Sequence, residues 1–362
     1  MKKIVLVNAL ANCAGTEMHI LHLVNSLKQD FDFNLVVGEK GFLTEKLKEI
    51  GIQSHIIPSL NKDEILKKIN ELKADLIHFH DVNLALALAG DLKNQVPSIL
   101  TTHLWDIDPA AKSLKTRIKA SIQAIQLSQN LSKIICVTEY YQKLASNIPF
   151  FDKSKLVTIH NGVPDYEADI PILMKQTNSN NTVKILMVAR FGKQKNQELL
   201  IKSFIKIRDK LIGIKPQLIF VGHGHDEREK KCKELAKKYL PDDEVQFLGK
   251  VHPVDPLLRE ADVFALITNY EAFPISTLEA MRARLPIIAS NKCGLPEQIE
   301  NGINGFLVEN NEQSICKALL QLINNPEMRS SMGQQSRDKY KHFFTDQNTA
   351  QKVKSIYCDL IE

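Results

Sequence analysis

Short apolar runs alternate with longer amphipathic stretches from the first residues of the chain. "KIVLVNA" (3–9) predicts a buried strand. "GTEMHILHLVNSLKQ" (15–29) predicts a helix with Ile20, Leu23, Val24 and Leu27 on one face. "FNLVVG" (33–38), "DLIHFHD" (75–81), "PSILTTH" (97–103) and "KIICVTE" (133–139) read as further strands with helices between them. A polar stretch, "MKQTNSNNTV" (174–183), breaks the pattern and reads as a surface linker. The alternation restarts at "KILMVAR" (184–190) and continues through "PQLIFVG" (216–222), "VQFLG" (245–249), "DVFALIT" (262–268) and "PIIAS" (286–290). After position 311 only helical pattern remains. Strictly alternating strand and helix units predict parallel sheets covered on both faces. The expected architecture is therefore α/β, with two doubly wound Rossmann-like domains in succession.

Length supports that division, since 362 residues exceed one typical core. The expected domains are residues 1–165 and 166–345, with 346–362 packing back on the first. The composition, 44% hydrophobic and 25% charged, is that of a soluble globular protein. A net charge of +5, spread over both halves, does not indicate a nucleic-acid binder. Six cysteines without a close pair fit a reducing, cytoplasmic setting. The opening lysines and apolar run look superficially like a leader. Asn8 and Asn12 interrupt that run, so a first strand is the better reading. No stretch is long enough to span a membrane.

In "VARFGKQKNQELL" (188–200), Arg190 leaves a strand end and Lys195 precedes a helix. Two cations at such a turn suit a diphosphate, or are simply solvated. "YEAFPISTLEA" (270–280) holds Glu271 and Glu279 eight positions apart, with Pro274 between them. Proline marks a helix start, so the helix is expected from about Pro274 to about Arg284. The first-turn N–H groups of Ile275 and Ser276 then favour an anion. Glu279 would lie roughly 80° around and ~12 Å along from a helical position 271, so the two carboxylates are not an acid/base pair. "NCAGTEMHI" (12–20) places Gly15 in a turn where backbone approaches a phosphate, or merely turns. "NKCGLPEQIENGINGFLVEN" (291–310) reads as scaffold. His78 and His80 alternate along a strand, and His103 ends another, at the edge where parallel sheets bind ligands, so it is placed for ligand contact or is simply structural. In "GHGHDE" (222–227), His223 and His225 lack a third ligand at a recognisable spacing, so no metal is expected. "KSLKTRIKASIQAIQ" (112–126) places Lys112, Lys115, Arg117 and Lys119 on a basic amphipathic helix, either a solvated face or one that meets anionic lipid.

Taken together and in order, these residues resemble the retaining glycosyltransferases of family 4, which have the GT-B fold of two Rossmann-like domains facing across a cleft. The likeness covers nearly the whole chain and is densest over 184–310. Glu271 and Glu279 correspond to the family's E-x7-E motif, and Arg190 and Lys195 to its cations after the first strand of the second domain. "GLPEQIENGINGFLV" and "IHNGV" (159–163) are similar to neighbouring family segments.

The resemblance implies a nucleotide-diphosphate sugar donor, with a UDP-sugar expected, and a glycan or lipid-linked acceptor in surface polysaccharide or lipopolysaccharide synthesis. It implies no cofactor. Arg190 and Lys195 would hold the diphosphate, Glu279 the ribose and Glu271 the donor sugar. Backbone N–H groups in the segment Phe273, Pro274, Ile275 and Ser276 would meet sugar and phosphate. The base would lie near Gly249 and Val251, Gly15 near the phosphates, and His103 near the transferred sugar. The basic segment hints at peripheral contact with the inner membrane face. Ala14 and Ala272 stand where the family often has glycine, which bears on how closely the first loop approaches the donor and on sugar fit. A GT-B sugar-nucleotide epimerase and an inactive nucleotide-binding partner subunit remain open alternatives.

Overall fold

The computed structural model describes residues 1–103, 107, 113–165, 181–224 and 227–361. The chain forms two compact units, Met1–Pro164 with Phe344–Glu362, and Asp165–Phe343.

The first unit carries strands β1 (Lys3–Asn8), β2 (Asp32–Val37), β3 (Gln53–Ile56), β4 (Leu76–Phe79), β5 (Ser98–Thr102), β6 (Lys133–Cys136) and β7 (Leu156–Thr158). They form one sheet in the order β3-β2-β1-β4-β5-β6-β7, and every pairing is parallel. The central strands are buried along almost their whole length because both faces are covered. β3 and β7 escape the sequence reading for the opposite reason. They are short edge strands that keep solvent contact, and β3, "QSHI", has no apolar run.

The second unit carries β8 (Thr182–Val188), β9 (Lys215–Val221), β10 (Val245–Phe247), β11 (Val263–Leu266), β12 (Ile287–Ser290) and β13 (Gly305–Val308). Its sheet, ordered β10-β9-β8-β11-β12-β13, is also all parallel. The expected linker over 174–183 is corrected at its end. Thr182 and Val183 already belong to β8 and pair with Lys215 and Pro216. The rest, 174–180, lies outside the described residues.

Helix Asp346–Ile361 belongs to the first unit. Ala350, Val353 and Tyr357 join its core beside Leu23, Val24 and Phe31. Tyr357 Oη lies 2.6 Å from His78 Nδ1, and His78 Nε2 lies 2.7 Å from Thr101 Oγ1. The polar groups of His78 are therefore satisfied inside the sheet.

Both sheets reverse strand order at an interior point, between β1 and β4 in one and between β8 and β11 in the other. At such a point the loops leaving neighbouring strands diverge and open a crevice at the strand C-terminal ends. Gly15, Arg190, Lys195 and Glu271 follow strands that flank these points, whereas His103 follows β5 and Gly249 and Val251 follow the edge strand β10. Among the described residues, no helix is long and apolar enough to cross a membrane.

Candidate active site

In the second unit the loops after β8 and β11 are stitched together by backbone. Asn196 N donates to Ile267 O at 2.9 Å, and Asn269 N donates to Gln194 O at 2.7 Å. Lys195 and Thr268 form an isolated antiparallel bridge. Thr268 Oγ1 donates to Gln194 O at 2.9 Å, while Thr268 N donates to Ser290 Oγ at 2.9 Å. Asn310 Nδ2 closes the network on Thr268 O at 2.9 Å. These bonds fix the Lys195 backbone against the start of the Glu271 loop.

The side chains follow. Lys195 Nζ is in direct contact with a Glu271 carboxylate oxygen, and both side chains are largely buried. Burial pulls the Lys195 ammonium down to about 7, and the neighbouring Arg190 adds to that. The Glu271 carboxylate is its counter-charge. Arg190 is exposed, and its carbonyl accepts from Gln197 Nε2 at 3.0 Å. Lys193, Lys195, Arg228 and Lys231, with Glu198 and Glu227, line a recess of about 370 Å³ at the starts of helices Gln197–Arg208 and Glu227–Tyr239. Four cations against two carboxylates leave the recess an excess of positive charge.

Helix Ile275–Arg282 follows Glu271. It is shorter than the sequence predicts, and Pro274 is its N-cap, with φ −65° and ψ 130°, rather than its first helical residue. No side chain caps it, so its first-turn N–H groups are left for another acceptor. Phe273, Pro274 and Ile275 have buried side chains, so only their backbone is available to a ligand. Thr277, which the sequence reading passed over, is fully buried in the same turn, and its hydroxyl has no hydrogen-bond partner. The signal was present, since a threonine in the first turn of an uncapped helix is a polar group placed at an anion site.

Glu279 lies one turn further along and is partly buried. Burial pushes its carboxyl up to about 7, Arg282 opposes the shift, and Asp255 adds to it. Arg282 is itself paired with Asp255. Gly249 leaves β10 with φ +66°, a left-handed conformation suited to glycine, and its carbonyl accepts from Gly222 N at 2.8 Å. Gly222 has φ +139°, and a Cβ there would fall 2.1 Å from Ala189 O. The loops leaving β8, β9 and β10 are thereby packed backbone to backbone. Val251 is half-buried just beyond.

In the first unit, Gly15 is exposed at the first position of helix Gly15–Leu27. His103 stands just past β5 and is joined by two histidines from other elements. His80 follows β4, with Nδ1 3.3 Å from His103 Nε2. His19 lies on the first helix, its ring 4.8 Å from that of His103. Burial drives the imidazoles of His78 and His103 down to about 3 and those of His19 and His80 well below their usual value, so all four are neutral at pH 7. The sequence reading singled out His80 and His103 but not His19, because a histidine on an amphipathic helix carries no local signal.

Elsewhere the structure supplies ordinary roles. His223 Nδ1 lies 3.1 Å from Glu229, which also takes Gly224 N at 2.9 Å. His225 and Lys112 fall outside the described residues. None of the six cysteines is in a disulfide.

Residues 13–166 match the model of Glycosyltransferase Family 4, and residues 169–339 match Glycosyl transferases group 1. N-acetyl-alpha-D-glucosaminyl L-malate synthase of Bacillus anthracis is 28% identical over 303 residues, 79% of this chain and 75% of that protein. The UDP-Gal:alpha-D-GlcNAc-diphosphoundecaprenol alpha-1,3-galactosyltransferase of Escherichia coli is 25% identical over 362 residues, 92% of this chain and 90% of that protein. Among solved structures, Anabaena HepE in complex with UDP and glucose superposes with a TM-score of 0.84 at 17% identity, covering 99% of this chain and 100% of that one. With its two parallel-sheet units of the GT-B type and a family match to each, the chain belongs to the group 1 glycosyltransferases of family 4.

Proposed function

We propose that this glycosyltransferase moves a sugar from a UDP-sugar to an acceptor hydroxyl with retention of anomeric configuration. The contact between Lys195 and Glu271 carries the reading, because a carboxylate already occupies the cation that a diphosphate would need. On binding, phosphate oxygens replace the Glu271 carboxylate on Lys195. Arg190 adds a second charge, and the uncapped helix start at Ile275 and Ser276 adds N–H donors. The freed Glu271 carboxylate then accepts hydrogen bonds from sugar hydroxyls. As the glycosidic bond breaks, these groups stabilise charge growing on the departing diphosphate. Glu279 holds the ribose, the backbone near Gly249 and Val251 meets the base, and Gly15 and His103 meet phosphate and sugar. A neutral His103 ring suits a hydrogen bond to a sugar hydroxyl. The acceptor oxygen attacks from the face the diphosphate leaves and passes its hydroxyl proton to the departing phosphate oxygen, so the step uses no protein nucleophile.

UDP in the HepE structure supports the choice of nucleotide. The diphosphoundecaprenol substrate of the E. coli relative supports a lipid-linked acceptor in surface glycan synthesis. The described part of the basic segment supports membrane contact. Helix Leu114–Asn130 exposes Leu114, Ile118 and Ile122, at 69%, 55% and 61%, one turn apart. Lys115, Arg117 and Lys119 flank them, and the helix contains no acidic residue. An apolar stripe edged by cations suits an anionic lipid surface.

The test is a transfer assay over UDP-, GDP- and ADP-sugars with lipid-linked and soluble acceptors, the product anomer read by NMR. A retained anomer from a UDP-sugar is expected. An inverted product, or turnover of the donor without acceptor, would overturn the reading.

A further inference from the structure

The first unit gathers three histidines that sequence keeps far apart. His19 comes from helix Gly15–Leu27, His80 from the end of β4, and His103 from the end of β5. One ring nitrogen from each lies within 4.8 Å of the others. His80 Nδ1 and His103 Nε2 stand 3.3 Å apart. That is about the nitrogen–nitrogen separation of a tetrahedral site with Zn–N bonds of about 2.0–2.1 Å. The remaining separations are at most 4.8 Å, which side-chain rotation can close.

His19 and His80 are only 3% and 5% exposed, and the Nε2 atom of each lacks a hydrogen-bond partner. Buried polar atoms without partners are costly, so these two are not fully satisfied core histidines. Imidazole nitrogen suits zinc, copper or nickel and not magnesium. Three imidazoles leave a fourth position for water or a ligand oxygen, as in an open zinc site.

We propose that His19, His80 and His103 form a binding site for one divalent transition-metal ion, with zinc(II) as the reference ion. Occupancy ties the His103 ring to the ion and withdraws it from other ligands. The site lies wholly within the first unit, and His103 is the residue it shares with the proposed sugar contact.

The experiment is titration of the metal-free full chain with zinc(II) by calorimetry, alongside cobalt(II) loading followed by visible absorption. One equivalent of zinc is expected, with the cobalt spectrum of a four-coordinate nitrogen site. H19A and H80N should each weaken binding by more than about tenfold. Alkylating the accessible thiols of the folded chain should leave binding unchanged. Circular dichroism shows whether each variant folds; if neither does, the cobalt spectrum of the parent decides. Absence of saturable uptake, unchanged affinity in folded variants, loss on alkylation, or a six-coordinate or thiolate cobalt spectrum would each overturn the proposal.

Discussion

Lys195 and Glu271 reach each other because the loops that carry them are hydrogen-bonded as neighbouring strand ends. The pair comes from different sides of the β8/β11 switch point, and each side chain is the other's counter-charge. K195M should lower transfer by more than about tenfold. It should also destabilise the second unit by about 1–3 kcal/mol, because a largely buried carboxylate loses its partner. Adding E271Q to K195M should restore the urea midpoint and leave transfer low. A double variant that regained transfer would show that the pair is structural only.

Nucleotide affinity should peak near pH 7. In the proposed site, ribose binding needs Glu279 ionised, which requires a pH above about 7. Phosphate binding needs Lys195 protonated, which requires a pH below about 7 in the empty site. UDP titrations by calorimetry from pH 5.5 to 9 should therefore give a bell. E279Q should remove the acidic limb and K195R the alkaline one. A flat profile in the parent would contradict both roles.

Glu279 also makes a stability prediction with a definite sign. Its folded-state carboxyl is raised from the ordinary 4.5 to about 7, so the folded state holds the proton more tightly. Its contribution to stability is fullest below 4.5 and is lost as pH rises to about 7. Denaturation curves of E279Q should show a shallower fall than the parent across that window. Parallel curves would place the proton elsewhere.

Removing the Tyr357 hydroxyl leaves His78 Nδ1 buried without its partner. Y357F should cost about 1–3 kcal/mol in urea denaturation. An unchanged midpoint would mean that the Tyr357–His78 hydrogen bond adds nothing to the hold on helix Asp346–Ile361.

Membrane contact should depend on both the stripe and its cations. I118D and the pair K115E/R117E should each reduce co-sedimentation with phosphatidylglycerol vesicles several-fold, while high salt should weaken only the charge-dependent part. Equal sedimentation of parent and variants would remove the membrane from the proposed function.

The sequence by itself determined the alternation of buried strands and amphipathic helices, and hence parallel sheets. Apolar runs such as residues 4–7 and 263–266 admit few other states when both faces are covered. It also marked Arg190, Lys195, Glu271 and Glu279, because their spacing around a strand end and a proline is local information. The edge strands β3 and β7 were not legible, since pairing to one neighbour at a solvated edge imposes no pattern. Only the tertiary structure decided that Lys195 contacts Glu271 and that His19 joins His80 and His103. Those meetings depend on strand order: β1, β4 and β5 are adjacent in the first sheet, and β8 lies beside β11 in the second. Adjacency of strands distant in sequence is fixed by how whole sheets bury their faces, and no short stretch of residues encodes it.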